Sequence, residues 1–389
     1  MKYQGISALT HQPVEISVQA GSIETITPLT AVADDLPYIA PGWLDMQVNG
    51  YQGSDYSLDD FSIDHLHKIT ESLAASGTTQ HVPTIVTSPR PRLLRTLRLL
   101  AEAMETSPDL AAAIAGIHVE GPYISDEDGP RGAHDPSYVR NPDVEEFQEW
   151  QDAARGAIKI VTIAPEREGA LAFIRAVSAT GVIVALGHTA ADPEQIQAAV
   201  EAGARLSTHL GNGSHAMIPR LKNYIWEQLA ADELMAGLIT DGFHLPQSVV
   251  KVFVRAKGLK RLILVSDVAL LGGCQPGVYK WGNLDVEVFA DGHLGLPGTS
   301  FLAGAGHLLD WDIAHFINFT GYDLADTLPL CTTHPARVLH LEHSFGTLEV
   351  GAPANVVLFT FRPGDDRLDI MKTIRAGKEV FTKNSTRNA

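Results

Sequence analysis

Cysteine is almost missing from this chain of 389 residues, which carries only Cys274 and Cys331. Two thiols exclude a disulfide framework and a cysteine-rich zinc site. Positive charge is also short, with 29 Lys and Arg against 46 Asp and Glu, a formal net charge of −17. That balance argues against a nucleic-acid surface or an anionic membrane surface as partner. An anionic substrate would have to be held by local Arg, Lys or backbone donors, against the overall field. No apolar run approaches the length that spans a bilayer. No basic stretch followed by an apolar one stands at Met1, so no signal peptide is expected and a cytoplasmic address is the default. Low-complexity segments and internal repeats are absent as well.

What is present is a set of short apolar runs, four of which end in a metal-competent or acid/base side chain. They are Ala-Gly-Ile-His-Val-Glu120, Val-Ile-Val-Ala-Leu-Gly-His188, Arg-Leu-Ser-Thr-His209 and Leu-Ile-Leu-Val-Ser-Asp267. Such runs read as buried parallel strands. Eight candidates fall at 43–48, 78–86, 112–119, 157–164, 182–187, 205–209, 234–240 and 261–266. Helical patterns at 90–104, 169–179, 193–202 and 246–257 lie between several of them, with Pro193 and Pro246 suited to first helical turns. Eight strands alternating with helices predict a (β/α)8 barrel rather than an open sheet.

A Gly-rich stretch at 271–300 follows, with a hairpin expected around Asp291-Gly292, and helices are expected over 302–340. Both ends of the chain read as β-structure: 14–18 and 23–27, joined at Gly21, and later 354–359 and 375–381. We therefore expect residues 1–40 and 343–389 to build a small β-sandwich together, and residues 41–342 to form the barrel.

In a barrel of this kind, chemistry sits just past the last apolar residue of each strand. Two His and one carboxylate (Glu120, His188 and His209) match a common open zinc site that leaves a position for water. Asp267 suits a general base that later protonates a leaving amine; the competing reading is the N-cap of a following turn. On strand one, period two places Asp45, Gln47 and Asn49 on one face: a polar active-site wall or a strand-end hydrogen-bond network. His244, in Thr-Asp-Gly-Phe-His244, and His134, in a Gly- and Pro-broken loop, would either contact substrate or sit solvated. His118 reads as packed within its strand, His65, His67, His307 and His315 as helical, and His215 as an open question in an irregular loop.

These residues resemble the amidohydrolase superfamily, and within it the N-acetylglucosamine-6-phosphate deacetylase family. The resemblance runs from Pro41-Gly-Trp-Leu-Asp to Gly-Ala-Pro-Ala-Asn355. Its most specific pieces are His118-Val-Glu-Gly-Pro-Tyr123, Gly132-Ala-His134, Gly187-His188, Thr208-His209-Leu, Asp241-Gly-Phe-His244 and Val265-Ser-Asp267. Many members of the superfamily carry His-x-His on strand one, where this chain has Gln47 and Asn49. Neutral amides are poor zinc ligands beside imidazole and carboxylate. The resemblance thus implies one divalent metal ion, zinc, on Glu120, His188 and His209, with Gln47 and Asn49 as active-site wall outside the ligand set. It implies that His244 and the metal polarise an acetamide carbonyl. Asp267 would take a proton from water and pass it to the departing amine, and His134 would bond the sugar.

One loop departs from the family. Where the family reads Thr-His-Leu-Phe-Asn-Ala-Met-x-Pro and later an Arg, this chain reads Thr208-His-Leu-Gly-Asn-Gly-Ser-His-Ala-Met-Ile-Pro-Arg220. Counted without a gap, Asn212 and Gly213 fall on substrate-binding positions and Arg220 on the phosphate-binding Arg, which implies a homodimer with Arg220 reaching across. Gly211, Gly213 and Ser214 replace Phe, Ala and Met, and Lys222-Asn223 replace Pro-Gly. The expected substrate is a small phosphorylated N-acetyl amino sugar. The alternative is another amidohydrolase acting on a different N-acyl sugar or on an N-acyl amino acid.

Overall fold

The computed structural model describes residues 1–30, 35–282, 284–299 and 301–383. Its centre is an eight-stranded parallel sheet ordered as in the chain: Trp43–Val48, Thr78–Val86, Ile117–Glu120, Ile158–Ile163, Ile183–Leu186, Leu206–Ser207, Met235–Leu238 and Leu262–Leu264. Val48 bridges Val268 in parallel, the amide of Asp267 donates to Gln47 O at 2.9 Å, and that of Asn49 to Val268 O at 2.9 Å. These contacts bring the segment after strand eight onto strand one and close the ring. Helices on the outside include Ile63–Ala74, Arg90–Thr106, Ala170–Ser178, Pro193–Ala202 and Gln247–Lys257. Among the described residues, no helix is long and apolar enough to cross a membrane.

Strands from both chain ends join in one seven-stranded, mostly antiparallel sheet. Its order is Lys378–Thr382, Asp369–Arg375, Val356–Thr360, Tyr38–Pro41, Lys2–Ser7, Pro13–Gln19 and Ser22–Pro28. The run at 375–381 is not one strand: Ala376 and Gly377, both at positive φ, turn it into a hairpin. This sheet is tied to the barrel by buried bonds. Thr373 Oγ1 donates to Ala74 O at 2.7 Å and Arg375 Nε to Thr79 O at 2.7 Å.

Three local expectations shift. The run at 112–119 begins as the end of a helix, Pro108–Ala113, and becomes strand only at Ile117. Three alanines in a row favour helix until Gly116, at φ 144°, breaks it. The helices expected from 302 begin at Leu309–Thr320, so His307 precedes the helix rather than riding on it. In the stretch 271–300, of which 283 and 300 lie outside the described residues, Gly277–Trp281, Leu284–Val288 and Leu294–Gly295 form a small antiparallel sheet. It turns at Asp291-Gly292, as the pattern predicts.

The polar face of strand one works as the seam of the barrel. Asp45 is fully buried, and its carboxylate accepts from Ser266 Oγ at 2.5 Å and from the amides of Ser266 and Gln47 at 3.2 and 3.3 Å. Burial, only partly countered by the bonds from Ser266, pushes its pKa up to about 7. A carboxyl raised above its unfolded value adds stability that is present below about pH 4 and fades as pH rises through about 7. Asp45→Asn should therefore gain on the native protein as pH rises, by about 1.4 kcal/mol per unit between about pH 4 and 7. Chemical denaturation at pH 5 and pH 7.5 checks this; a constant difference between the two proteins would show that Asp45 does not titrate in that window.

Candidate active site

The ends of the parallel strands open into a cavity of about 400 Å³, lined by Asn49, Glu120, His134, His188, His209, Asn212, Gly213, His244 and Asp267 among others. Three polar atoms meet at its floor. Glu120 Oε1 lies 3.1 Å from His188 Nε2 and 3.0 Å from His209 Nε2, and the two imidazole nitrogens are 3.0 Å apart. All three residues are buried.

The chain reaches this geometry through unusual backbone. His188 has φ 51°, His209 φ 27° and Asp267 φ 50°, three of only nine non-glycine residues at positive φ among those described. Left-handed backbone disfavours a side chain by about 1–2 kcal/mol, so it persists where surrounding structure enforces it. Here each residue follows a strand that ends abruptly and must turn its side chain inward. Gly187 allows the approach: a Cβ there would lie 2.7 Å from Thr208 Cβ on the next strand.

The second nitrogen of His188 donates to Pro130 O at 2.8 Å, which fixes the tautomer and leaves Nε2 as a lone pair. Burial alone would lower the pKa of His209, but the bond to Glu120 outweighs it and pushes the imidazole up to about 9. Burial likewise works against the charge of Glu120, yet the bonds from both imidazoles hold its carboxyl well below the usual carboxylate range. The cluster thus favours positive charge at its centre. Two donors each about 2.0–2.1 Å from a tetrahedral ion are roughly 3.3 Å apart, so this donor set fits a divalent cation. His134 also approaches: one ligand atom each of Glu120, His134 and His188 lie within 4.8 Å of one another. Its Nδ1 is engaged by Thr87 Oγ1 at 2.8 Å, and burial lowers its pKa to about 3, so the ring is neutral.

Gln47 and Asn49 each turn an amide N–H toward a carboxylate. Gln47 Nε2 donates to both oxygens of Glu120 at 3.2 Å, from beneath the cavity. Asn49 Nδ2 donates to Asp267 Oδ1 at 2.6 Å. Burial and the charge of Glu120 push Asp267 up to about 6, while His209 and Asn49 hold it back. Asp267 caps no helix: it sits on the cavity wall, between the end of strand eight and the bridge at Val268. His244 is oriented by Asp241, whose Oδ2 lies 2.8 Å from its Nδ1 and whose Oδ1 accepts from the amides of Phe243 and His244. Asp241, three residues before His244 in an irregular turn, positions that ring, a contact that no regular spacing signals. Of the remaining histidines, His118 is packed as expected, 2.7 Å from Thr162 Oγ1. His215 pairs with Glu127 at 3.1 Å outside the cavity floor.

Arg220 lies apart. It is exposed and does not line the cavity, and among the described lining residues there is no Arg or Lys. The opposite wall is apolar: Trp281, Phe301 and Leu302 reach in from the small sheet and the segment after it. Sequence reasoning missed this wall because its strands belong to no barrel repeat.

The amidohydrolase family model matches residues 38–380. The chain is 33% identical over 362 residues to the N-acetylglucosamine-6-phosphate deacetylase of Homo sapiens, covering 90% of this chain and 85% of that one. It is 31% identical over 378 residues to that of Bacillus subtilis, covering 94% and 92%. Among solved structures, N-acetyl-D-glucosamine-6-phosphate deacetylase from Mycobacterium smegmatis superposes with a TM-score of 0.86 at 28% identity, covering 98% of this chain and 100% of that one. A mutant of that enzyme in complex with N-acetyl-D-glucosamine-6-phosphate gives 0.86 at 29% identity, covering 98% and 99%. The left-handed strand ends, the three converging donors and this end-to-end similarity have one explanation: the chain belongs to the N-acetylglucosamine-6-phosphate deacetylase family of amidohydrolases.

Proposed function

We propose that this protein hydrolyses the acetamide of N-acetylglucosamine 6-phosphate to acetate and glucosamine 6-phosphate. The observation that carries this is the meeting of Glu120, His188, His209, His244 and Asp267 on one cavity in a chain that aligns with deacetylases of that name over 90% of its length. Glu120, His188 and His209 hold one divalent cation, for which zinc is our assignment. When bound, such an ion polarises a carbonyl and lowers the pKa of water.

The chain's own groups supply the rest. Asp267 takes a proton from the attacking water and returns it to the nitrogen as the C–N bond breaks, so it begins and ends the cycle ionised. Its contact with Asn49 fixes which oxygen is free to do so. Asp241 holds His244 by Nδ1, leaving Nε2 for the acetamide oxygen. Thr87 holds His134 by Nδ1 in the same way, leaving Nε2 for a sugar hydroxyl. Asn212 and Gly213 contact the sugar phosphate from the loop after strand six.

The phosphate needs a cation that the cavity of one chain does not provide. We assign Arg220 of the partner subunit to it, in a cytoplasmic homodimer. Exposed Met217 (91%) and Leu221 (74%) flank Arg220 and support a second copy covering this loop. The division of the chain at 40/41 and 342/343 into terminal β-unit and hydrolase barrel belongs to the same reading. The cation-free cavity favours one second reading, an unphosphorylated N-acyl sugar as substrate.

Asp267→Asn should retain the metal and lose about 10²–10⁴-fold in kcat; turnover near the native value in an acetate-release assay would remove Asp267 from the chemistry. Metal analysis of the active protein should return one divalent ion per chain, and chelation should abolish activity until the ion is restored. Arg220→Ala should weaken kcat/KM for the phosphorylated sugar by on the order of tenfold to a hundredfold, as expected for loss of a charge-assisted contact. The same variant should leave N-acetylglucosamine itself almost unaffected. Equal losses on both sugars would transfer support to the unphosphorylated reading.

A further inference from the structure

The imidazole of His188 is gripped by two loops that arrive from different strands. One follows strand three and carries Gly132; the other follows strand six and carries Gly213. A Cβ on Gly213 would lie 2.6 Å from His188 Nδ1 and 2.9 Å from Cε1, and a Cβ on Gly132 would lie 3.3 Å from Cε1 and 3.5 Å from Nδ1. Both glycines are left-handed, at φ +54° and +58°. They press the same edge of the ring, the one whose nitrogen donates to Pro130 O at 2.8 Å. On its other contacts the ring meets His134 edge to face at 4.4 Å between centroids and His209 at 4.8 Å. The loops also hold each other. A Cβ on Gly129 would lie 3.0 Å from His215 Cα, His215 Nε2 lies 3.1 Å from Glu127, and the amide of His215 donates to the Tyr224 hydroxyl at 2.9 Å.

We propose that Gly213, assisted by Gly132, is a positioning residue: its bare backbone sets the pose of His188 and thereby the affinity of the Glu120–His188–His209 cluster for a divalent cation. The proposal rests on the metal reading given above. At 2.6 Å a Cβ on residue 213 must displace either the ring or the loop. Displacing the ring moves Nε2 out of its contacts at 3.0 and 3.1 Å, and metal ligands tolerate only about 0.2 Å. Displacing the loop instead moves Asn212 and residue 213 on the cavity wall, which would raise KM and leave metal binding alone. The two outcomes are separable because the first is read without substrate.

Gly211 supplies the control. It sits in the same loop at φ +96°, outside the left-handed well that Gly213 and Gly132 occupy, so alanine there carries at least as much backbone strain, but its Cβ would meet only side chains of Leu245 and Phe253, at 3.1 and 3.3 Å. The experiment is chelator competition with zinc alone on metal-stripped native protein and on Gly213→Ala, Gly132→Ala and Gly211→Ala, with thermal melts of the metal-free forms. Gly213→Ala should weaken zinc by about tenfold or more, the size usual for loss of a group that orients a ligand. Gly132→Ala should weaken it by less, and Gly211→Ala by under about threefold, with every metal-free variant still melting cooperatively above the assay temperature. Zinc affinity of Gly213→Ala within about threefold of native, or an equal loss in Gly211→Ala, would overturn the proposal. If Gly213→Ala does not fold, Gly132→Ala against Gly211→Ala decides in the same way. Native protein that binds no zinc would overturn the metal reading instead, whatever the order among the glycine variants.

Discussion

Three electron-rich atoms, one carboxylate oxygen and two imidazole nitrogens, are held about 3 Å apart where water has little access. Left to itself such a group is repulsive, and burial makes the repulsion worse because little solvent screens it. Only positive charge at the centre resolves it, as the raised His209 and the depressed Glu120 both record. The rest of the barrel mouth is arranged around that demand. His188, His209 and Asp267 adopt backbone that side chains ordinarily avoid. Glycines stand wherever a Cβ would keep a loop or a neighbouring strand from closing on the site. The strain is local, and the eight-stranded ring beneath it is regular enough to enforce it.

Strand one shows how neutral groups tune the same field. Gln47 and Asn49 each point N–H groups at a carboxylate, one at Glu120 and the other at Asp267. An amide that donates in this way keeps a buried carboxylate ionised without adding charge of its own. The carboxylates would otherwise disfavour each other's charge, since Glu120 raises Asp267. A ligand-poor strand one is therefore consistent with a single cation. The two amides help keep Glu120 and Asp267 charged without a cation of their own.

Much of this was legible in the chain and some was not. Strands at 43–48 and 78–86 coincide with their apolar runs because those runs are long and stop at turn residues. The helix Pro193–Ala202 is likewise marked at both ends, by an Asp192 capping box with Pro at its first position and by Gly203 after it. The third strand was harder. Ala111 to Ala113 continue an apolar run into the strand without a break in hydrophobicity, and only their helix propensity and Gly116 mark where helix gives way to strand. Barrel topology converts sequence position into spatial position: Glu120, His188 and His209 end three separate apolar runs, far apart in the chain, and touch in the fold. The apolar wall of Trp281, Phe301 and Leu302 was not found, because it comes from an insertion whose placement depends on contacts that no local pattern encodes.

The cavity is uneven in a way that bears on what it recognises. Its floor concentrates a carboxylate and imidazoles, one wall is aromatic and aliphatic, and the described lining residues include no Arg or Lys. The whole chain adds a formal charge of −17 to that field. A lone chain offers an entering phosphate no Arg or Lys from the cavity wall, while an acetamide would meet everything the proposed chemistry requires. Chemistry and phosphate recognition are thus separable in this molecule. The first is built wholly from the inner ends of one barrel's strands. On the reading proposed here the second falls to Arg220, which stands on an exposed loop with large apolar side chains beside it. If that loop is covered by a second copy, assembly completes the specificity of a site whose reactive groups are already in place. The outer part of that loop, 214–223, can then change which sugar phosphates are held, while Gly213 keeps its place against His188 and the barrel holds Glu120, His209 and Asp267.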